Sequence, residues 1–213
     1  MDPKTGEILA MANKPDYDPN NPMNGKNVEE AQLSWRNRMV QEIFEPGSIL
    51  KVFTAAAALE ENIVNENSRY VCTGGKKVGG RTIRCWKTSG HGTQTFAEIL
   101  QNSCNVGFME VGLKLGAERL YKYFVQFGFG QKTGIDFPSE EKGLLRKLSD
   151  KESVALANQA FGQGIAVTGI QYITALSAIA NDGVMMQPHF VKSYYILMRM
   201  EIHLLLKNMS RRL

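Results

Sequence analysis

The chain has 213 residues and a mass of 23.8 kDa, with 43% hydrophobic and 22% charged residues. That balance is ordinary for a soluble globular chain and excludes collagen-like, disordered and membrane-spanning classes for its bulk. The formal net charge of +4 comes from residues 192–213, where Lys192, Arg199, Lys207, Arg211 and Arg212 are opposed only by Glu201; residues 1–191 are neutral and carry no electrostatic footprint for a nucleic acid.

A chain of this length buries one sizeable core, so one domain or most of one is expected. Residues 1–6 show neither a basic n-region nor an apolar h-region, and so neither a signal peptide nor a membrane anchor is expected in them. Residues 7–12 follow a Pro-Lys-Thr-Gly turn and are predicted as a short strand; residues 13–36, rich in Asn, Pro and Asp, are predicted as loop. After Glu45-Pro46-Gly47 a helix is predicted to begin at Ser48 and run to Asn62, buried on nearly every side because it carries four alanines and few polar residues. Residues 70–95 suggest a hairpin and an exposed loop. Thr95 and Glu98 form a capping box that opens a short helix to about Gln101, and Asn102-Ser103-Cys104-Asn105 breaks it. Further helices are predicted over about 106–115, 118–127 and 150–158, and another after the Thr168/Gln171 capping box, running to Asn181. In the tail, Met198 to Leu204 alternates apolar and polar residues with the period of a strand.

Cys72, Cys85 and Cys104 cannot all pair within one chain; free thiols are favoured over a Cys72–Cys85 disulfide. With no C-x-x-C, and with His91, His189 and His203 scattered along the chain, neither a metal site nor a cofactor is expected.

The chemistry centres on Ser48 and Lys51, three residues apart at a helix start and therefore on one face. A serine hydroxyl becomes a nucleophile when a base takes its proton, and a buried lysine with a depressed pKa serves as that base. The helix N-terminus favours developing negative charge at Ser48. S-x-x-K alone arises often by chance. A second signature, Ser103 and Asn105, lies on a sharp break between two helices, where a hydroxyl and an amide can point together into a cleft.

With these two motifs in order, the chain resembles the class B penicillin-binding proteins. Phe44-Glu45-Pro46-Gly47-Ser48-Ile49-Leu50-Lys51 is similar to their active-serine motif and Asn102-Ser103-Cys104-Asn105 to their second motif. Residues 1–11, His91-Gly92, Gly128-Phe129-Gly130 with Thr133-Gly134-Ile135-Asp136, and Phe161-Gly162-Gln163-Gly164-Ile165 match as well. The resemblance covers residues 1–192, a partial transpeptidase domain. It implies an α+β fold of the penicilloyl-serine transferase and serine β-lactamase-like kind, an antiparallel sheet flanked by helices. It also implies peptidoglycan D,D-transpeptidase activity outside the cytoplasm, with a D-Ala-D-Ala stem peptide as substrate, β-lactam antibiotics as ligands, and a full-length parent anchored in the membrane. By resemblance, Ser48 attacks the D-Ala-D-Ala carbonyl, Lys51 accepts its proton, Ser103 relays a proton to the leaving amine, and Asn105 holds Lys51 and the substrate amide.

The departure is the third motif. Lys132-Thr133-Gly134 spells K-T-G but follows a helix exit and precedes Asp136-Phe137-Pro138, and so it is read as a decoy; the family's motif lies on an edge strand that completes the oxyanion hole. The resemblance ends near Lys192, and residues 193–213 are read as a basic tail foreign to the family. The chain is therefore expected to be incomplete at the C-terminal strands, and losing half an oxyanion hole costs roughly 10²–10³ in rate, unless residues 198–204 supply a surrogate edge strand. Two alternatives remain: a serine β-lactamase or penicillin sensor, for which Glu140, Glu141 and Glu152 are unassigned carboxylates, and a non-catalytic remnant. His91 is read as a loop residue, and Trp86 and the Tyr121/Tyr123/Phe124/Phe127 group as core or cleft wall.

Overall fold

The computed structural model describes residues 1–193; the alternating segment 198–204 lies outside them. Glu7 bridges His189, and the Ile8 N–H donates to the His189 carbonyl at 2.9 Å. No further strand pairs with residues 8–12 among the described residues. The strand expected over 7–12 is therefore not formed there, since its N–H and C=O groups lack a neighbouring strand.

The stretch 13–36 is not all loop. Helix α1 (Val28–Trp35) opens on a capping box in which the Asn27 side chain accepts from the Glu30 N–H at 2.9 Å and the Glu30 carboxylate accepts from the Asn27 N–H. This N-x-x-E signal was legible but lay hidden among Asn and Pro residues. A single turn, α2 (Arg38–Gln41), follows, and then β1 (Ile43–Phe44).

The chain next enters a 3-10 turn over Gly47–Leu50, which passes directly into α3 (Lys51–Glu60). The helix thus begins as predicted near Ser48, but its first turn is wound tighter. Ala55 and Ala58 face one apolar core and Phe53 and Ala57 another, which explains why the helix is apolar all round: both sides are covered. Phe53 is packed by Phe127, Phe129 and Tyr172, with ring centroids 4.9, 5.0 and 5.6 Å away.

Strand β2 (Arg69–Cys72) pairs antiparallel with β5 (Gly92–Thr95), and between them β3 (Gly75–Val78) and β4 (Arg81–Arg84) form an inner hairpin. Thr95 then caps α4 (Phe96–Gln101), with Glu98 completing the box. Helix α5 (Asn105–Leu115) runs through the core, followed by α6 (Ala117–Gln126) and α7 (Ser153–Gln159). Helices α5 and α7 approach closely at Gly112, where a Cβ would lie 2.3 Å from that of Ala160. Strand β6 (Val167–Thr168) pairs with β1, Ile43 opposite Thr168 and Phe44 opposite Val167, and leads into α8 (Gly169–Ala180) through the predicted Thr168/Gln171 box. The β1–β6 pair tethers the segment just ahead of Gly47 to the start of α8.

Candidate active site

Three segments meet at the Lys51 amine. The first is the 3-10 turn, held at its start by two contacts to the loop after α7: the Gly47 N–H donates to the Gly162 carbonyl at 2.9 Å, and the Glu45 carboxylate accepts from the Gly164 N–H at 2.9 Å. The second is α3 itself, which carries Lys51 one turn past Ser48. The third is the break between α4 and α5, where Ser103 takes a left-handed conformation (φ 50°). That turn sends both its hydroxyl and its carbonyl toward Lys51.

Lys51 is 1% exposed, yet its Nζ lies 2.7 Å from the Ser103 carbonyl, 2.8 Å from Asn105 Oδ1, 2.9 Å from Ser103 Oγ and 3.2 Å from Ser48 Oγ. The orientation of the Asn105 amide is set by its Nδ2, which faces the Arg84 carbonyl at 3.5 Å. Burial pushes the Lys51 ammonium down from 10.5 to about 8, against an opposing pull from the Cys85 and Cys104 sulfurs. Of the four neighbours, the Ser103 carbonyl and Asn105 Oδ1 can only accept, whereas the two hydroxyls can donate. A neutral amine therefore gives its two N–H groups to the carbonyl oxygens and turns its lone pair toward Ser48 and Ser103. Ser48 is exposed at the mouth of this arrangement while the lysine behind it is buried. All four residues singled out in the sequence, Ser48, Lys51, Ser103 and Asn105, are thus gathered at one place.

Other candidates lie elsewhere. The Thr133 and Gly134 N–H groups donate to the buried Glu140 carboxylate at 2.6 and 3.1 Å, and Lys132 is exposed; this K-T-G is loop structure organised around Glu140. Glu152 accepts from the Ser149 N–H and pairs with Arg146 at 2.7 Å. Trp86 is not core: it is 63% exposed and donates its indole N–H to the Asn102 carbonyl at 3.1 Å, beside the Ser103 turn. It stands beside the site, which decides for cleft wall between the two readings that the sequence left open because no local pattern tells a rim aromatic from a core one. Phe124 is buried, as expected, and Tyr123 bonds Glu61 at 2.9 Å. All three cysteines are free and buried, with His91 beside them.

The sequence matches the family model of the penicillin binding protein transpeptidase domain over residues 1–208. The chain belongs to this family. It is 46% identical over 195 residues to Stage V sporulation protein D of Bacillus subtilis, covering 91% of this chain and 30% of that protein. It is 35% identical over 192 residues to a probable peptidoglycan D,D-transpeptidase PenA of Neisseria meningitidis, covering 90% of this chain and 32% of the relative. The chain thus spans about a third of the length of these curated relatives. Among solved structures it is similar to Pseudomonas aeruginosa PBP2 in complex with WCK 5153, with a TM-score of 0.80 at 26% identity, covering 93% of this chain and 52% of that one. The transpeptidase domain of penicillin-binding protein 3 from Burkholderia pseudomallei matches with a TM-score of 0.74 at 30% identity, over 91% and 52% of the two chains. The fold is therefore the mixed helix-and-sheet fold of penicillin-binding transpeptidase domains. Among the described residues of this family member the strands pair only in twos, and no helix is long and apolar enough to cross a membrane.

Proposed function

We infer that this chain carries the acyl-transfer centre of a peptidoglycan D,D-transpeptidase, with Ser48 as nucleophile and Lys51 as its base. The observation that carries the reading is the Lys51 amine, buried and within 3.2 Å of Ser48 Oγ and 2.9 Å of Ser103 Oγ. Ser48 Oγ attacks the carbonyl of the penultimate D-Ala of a stem peptide as its proton passes to the Lys51 lone pair. The proton then moves across to Ser103, which delivers it to the departing terminal D-Ala amine. An amine of a second stem peptide attacks the acyl-serine, and the same residues run in reverse to return Ser48. Asn105 holds Lys51 and offers its amide to the substrate backbone. A β-lactam would enter by the same attack, with ring opening in place of D-Ala release. The parent protein would work outside the cytoplasm, at the membrane surface where its peptidoglycan substrate lies.

Acyl transfer is favoured over β-lactam hydrolysis because the carboxylates of Glu140 and Glu152 are engaged by other groups, by Thr133 and Gly134 and by Ser149 and Arg146. Incubation with a labelled penicillin followed by peptide mass mapping tests this. A long-lived adduct on Ser48, absent from Ser48→Ala, is the expected result; rapid turnover would point to a hydrolase, and an unmodified but folded chain would remove the catalytic reading. Lys132→Ala is expected to leave the acylation rate unchanged, and a large fall would restore its K-T-G to the site.

A further inference from the structure

Folding gathers four soft ligand atoms that the sequence separates. The sulfurs of Cys72 at the end of β2, Cys85 just after β4 and Cys104 ahead of α5, together with a ring nitrogen of His91, all lie within 4.8 Å of one another. We propose that Cys72, Cys85, His91 and Cys104 form a tetrahedral site for a zinc ion.

Three thiolates and one imidazole are a donor set of closed, structural zinc centres. The three cysteines are 2%, 2% and 0% exposed, which matches such a closed site. Zinc–sulfur bonds of about 2.3 Å and zinc–nitrogen bonds of about 2.0–2.1 Å require tetrahedral edges of about 3.8 Å between sulfurs and about 3.6 Å between sulfur and nitrogen. Cys85 Sγ already stands 3.6 Å from His91 Nδ1. The remaining separations need to close by at most about an ångström.

The surroundings suit the charge. The backbone N–H groups of Lys87, Asn105 and Val106 face the Cys85 sulfur, and the Gly107 N–H donates to Cys104 Sγ at 3.4 Å. Such donors support the negative charge that ligating sulfurs retain and fix their direction. The imidazole is not committed elsewhere: its Nε2 is buried without a hydrogen-bond partner, and its Nδ1 meets only the Cys85 sulfur. His91 is half-buried in the loop between Cys85 and β5, which gives the ion a route in.

Binding would exchange the ion for three thiol protons released to solvent, leaving a centre of net charge −1. Cys104 sits between Ser103 and Asn105, so the ion would clamp the turn that holds Lys51 to the β2–β5 sheet. The site rests on the fold alone and not on the acyl-transfer reading.

The test uses the full chain, purified with reductant and chelator, freed of both, and titrated with cobalt(II). The expected result is one equivalent bound, with the intense visible band of tetrahedral cobalt and a near-ultraviolet thiolate charge-transfer band. Zinc should displace the cobalt, raise the melting temperature and shield the three thiols from a thiol reagent until chelator is restored. Cys72→Ser should abolish the cobalt spectrum. His91→Gln should weaken cobalt binding at least about tenfold while leaving the melting temperature of the metal-free chain unchanged, which separates loss of a ligand from loss of folding. A six-coordinate cobalt spectrum, thiols that stay reactive in excess zinc, or a disulfide between two of the cysteines in the chain as isolated would overturn the proposal.

Discussion

Replacing Lys51 by methionine is expected to slow β-lactam acylation of Ser48 by roughly 10²–10⁴ near neutral pH, the range that a positioned general base contributes. The size of the effect follows from burial. With the ammonium at about 8, roughly a tenth of the chains hold the free amine at pH 7, against roughly three in ten thousand for a solvated lysine. Acylation should rise about tenfold per pH unit below about 8 and level off above it, and a flat profile in stopped-flow measurements would remove Lys51 as the base. The same burial acts on stability. Between about 8 and 10.5 the unfolded chain keeps the lysine proton and the folded chain has lost it, so raising the pH through that window stabilises the fold. Below about 8 both states are protonated and the full burial penalty, on the order of 3 kcal/mol, is present. Denaturant unfolding of the wild type should therefore gain on Lys51→Met as the pH rises from 8 to 10.5. Parallel pH dependence of the two proteins would show that the lysine is not titrating in that range.

The second large effect belongs to Gly162. Its φ is +93°, and a Cβ there would lie 1.9 Å from the Gly47 carbonyl oxygen. Gly162→Ala adds left-handed strain to a backbone clash, and the backbone must part where the Gly47 N–H meets the Gly162 carbonyl. Strain of about 1–3 kcal/mol and overpacking of similar size together predict a loss of roughly 2–6 kcal/mol, read as a fall in melting midpoint of about 2–4 °C for each kcal/mol lost. Gly164, two residues on, is the control: its φ is +73°, but nothing lies within 4 Å of the added Cβ, so Gly164→Ala should cost only the strain, about 1–2 kcal/mol. Because Gly162 abuts the residue before Ser48, its variant should also acylate more slowly at temperatures where it remains folded. Equal stability losses for the two variants would show that the close contact with Gly47 costs nothing beyond the backbone strain, and an unchanged acylation rate in Gly162→Ala would show that the contact does not position the nucleophile.

What could be read from the sequence were the features decided within a few residues. Thr95 with Glu98 and Thr168 with Gln171 announce helix starts because a capping box is closed by side chains three residues apart. Asn27 with Glu30 carries the same signal, but the surrounding Asn and Pro residues read as loop and mask it. Ser48 and Lys51 were legible for the same reason, since a helical turn places residues three apart on one face whatever the rest of the chain does. The residues 7–12 failed as a strand for the opposite reason: a strand exists only with a partner, and pairing is a long-range property.

The pairing of Lys51 with Ser103 and Asn105, 52 and 54 residues away, was expected only by resemblance. It is produced by packing: α3 lies between two cores, Gly112 lets α5 close on α7, and Gly162 lets the loop after α7 close on Gly47. The burial that moves the lysine's pKa has the same origin, because desolvation depends on what is stacked around a group and not on its neighbours in the chain. Cys72, Cys85, His91 and Cys104 lack the spacing of any ligand motif, and hydrogen bonding between β2 and β5 together with the turn before α5 brings them within reach of one ion. The sequence by itself determined the residue types, the helix starts and the nucleophile with its lysine one turn away. Tertiary structure alone decided which distant groups face that lysine and how dry they keep it, since hydrogen bonds within a turn act over a few residues whereas solvent exclusion is a property of the packed whole.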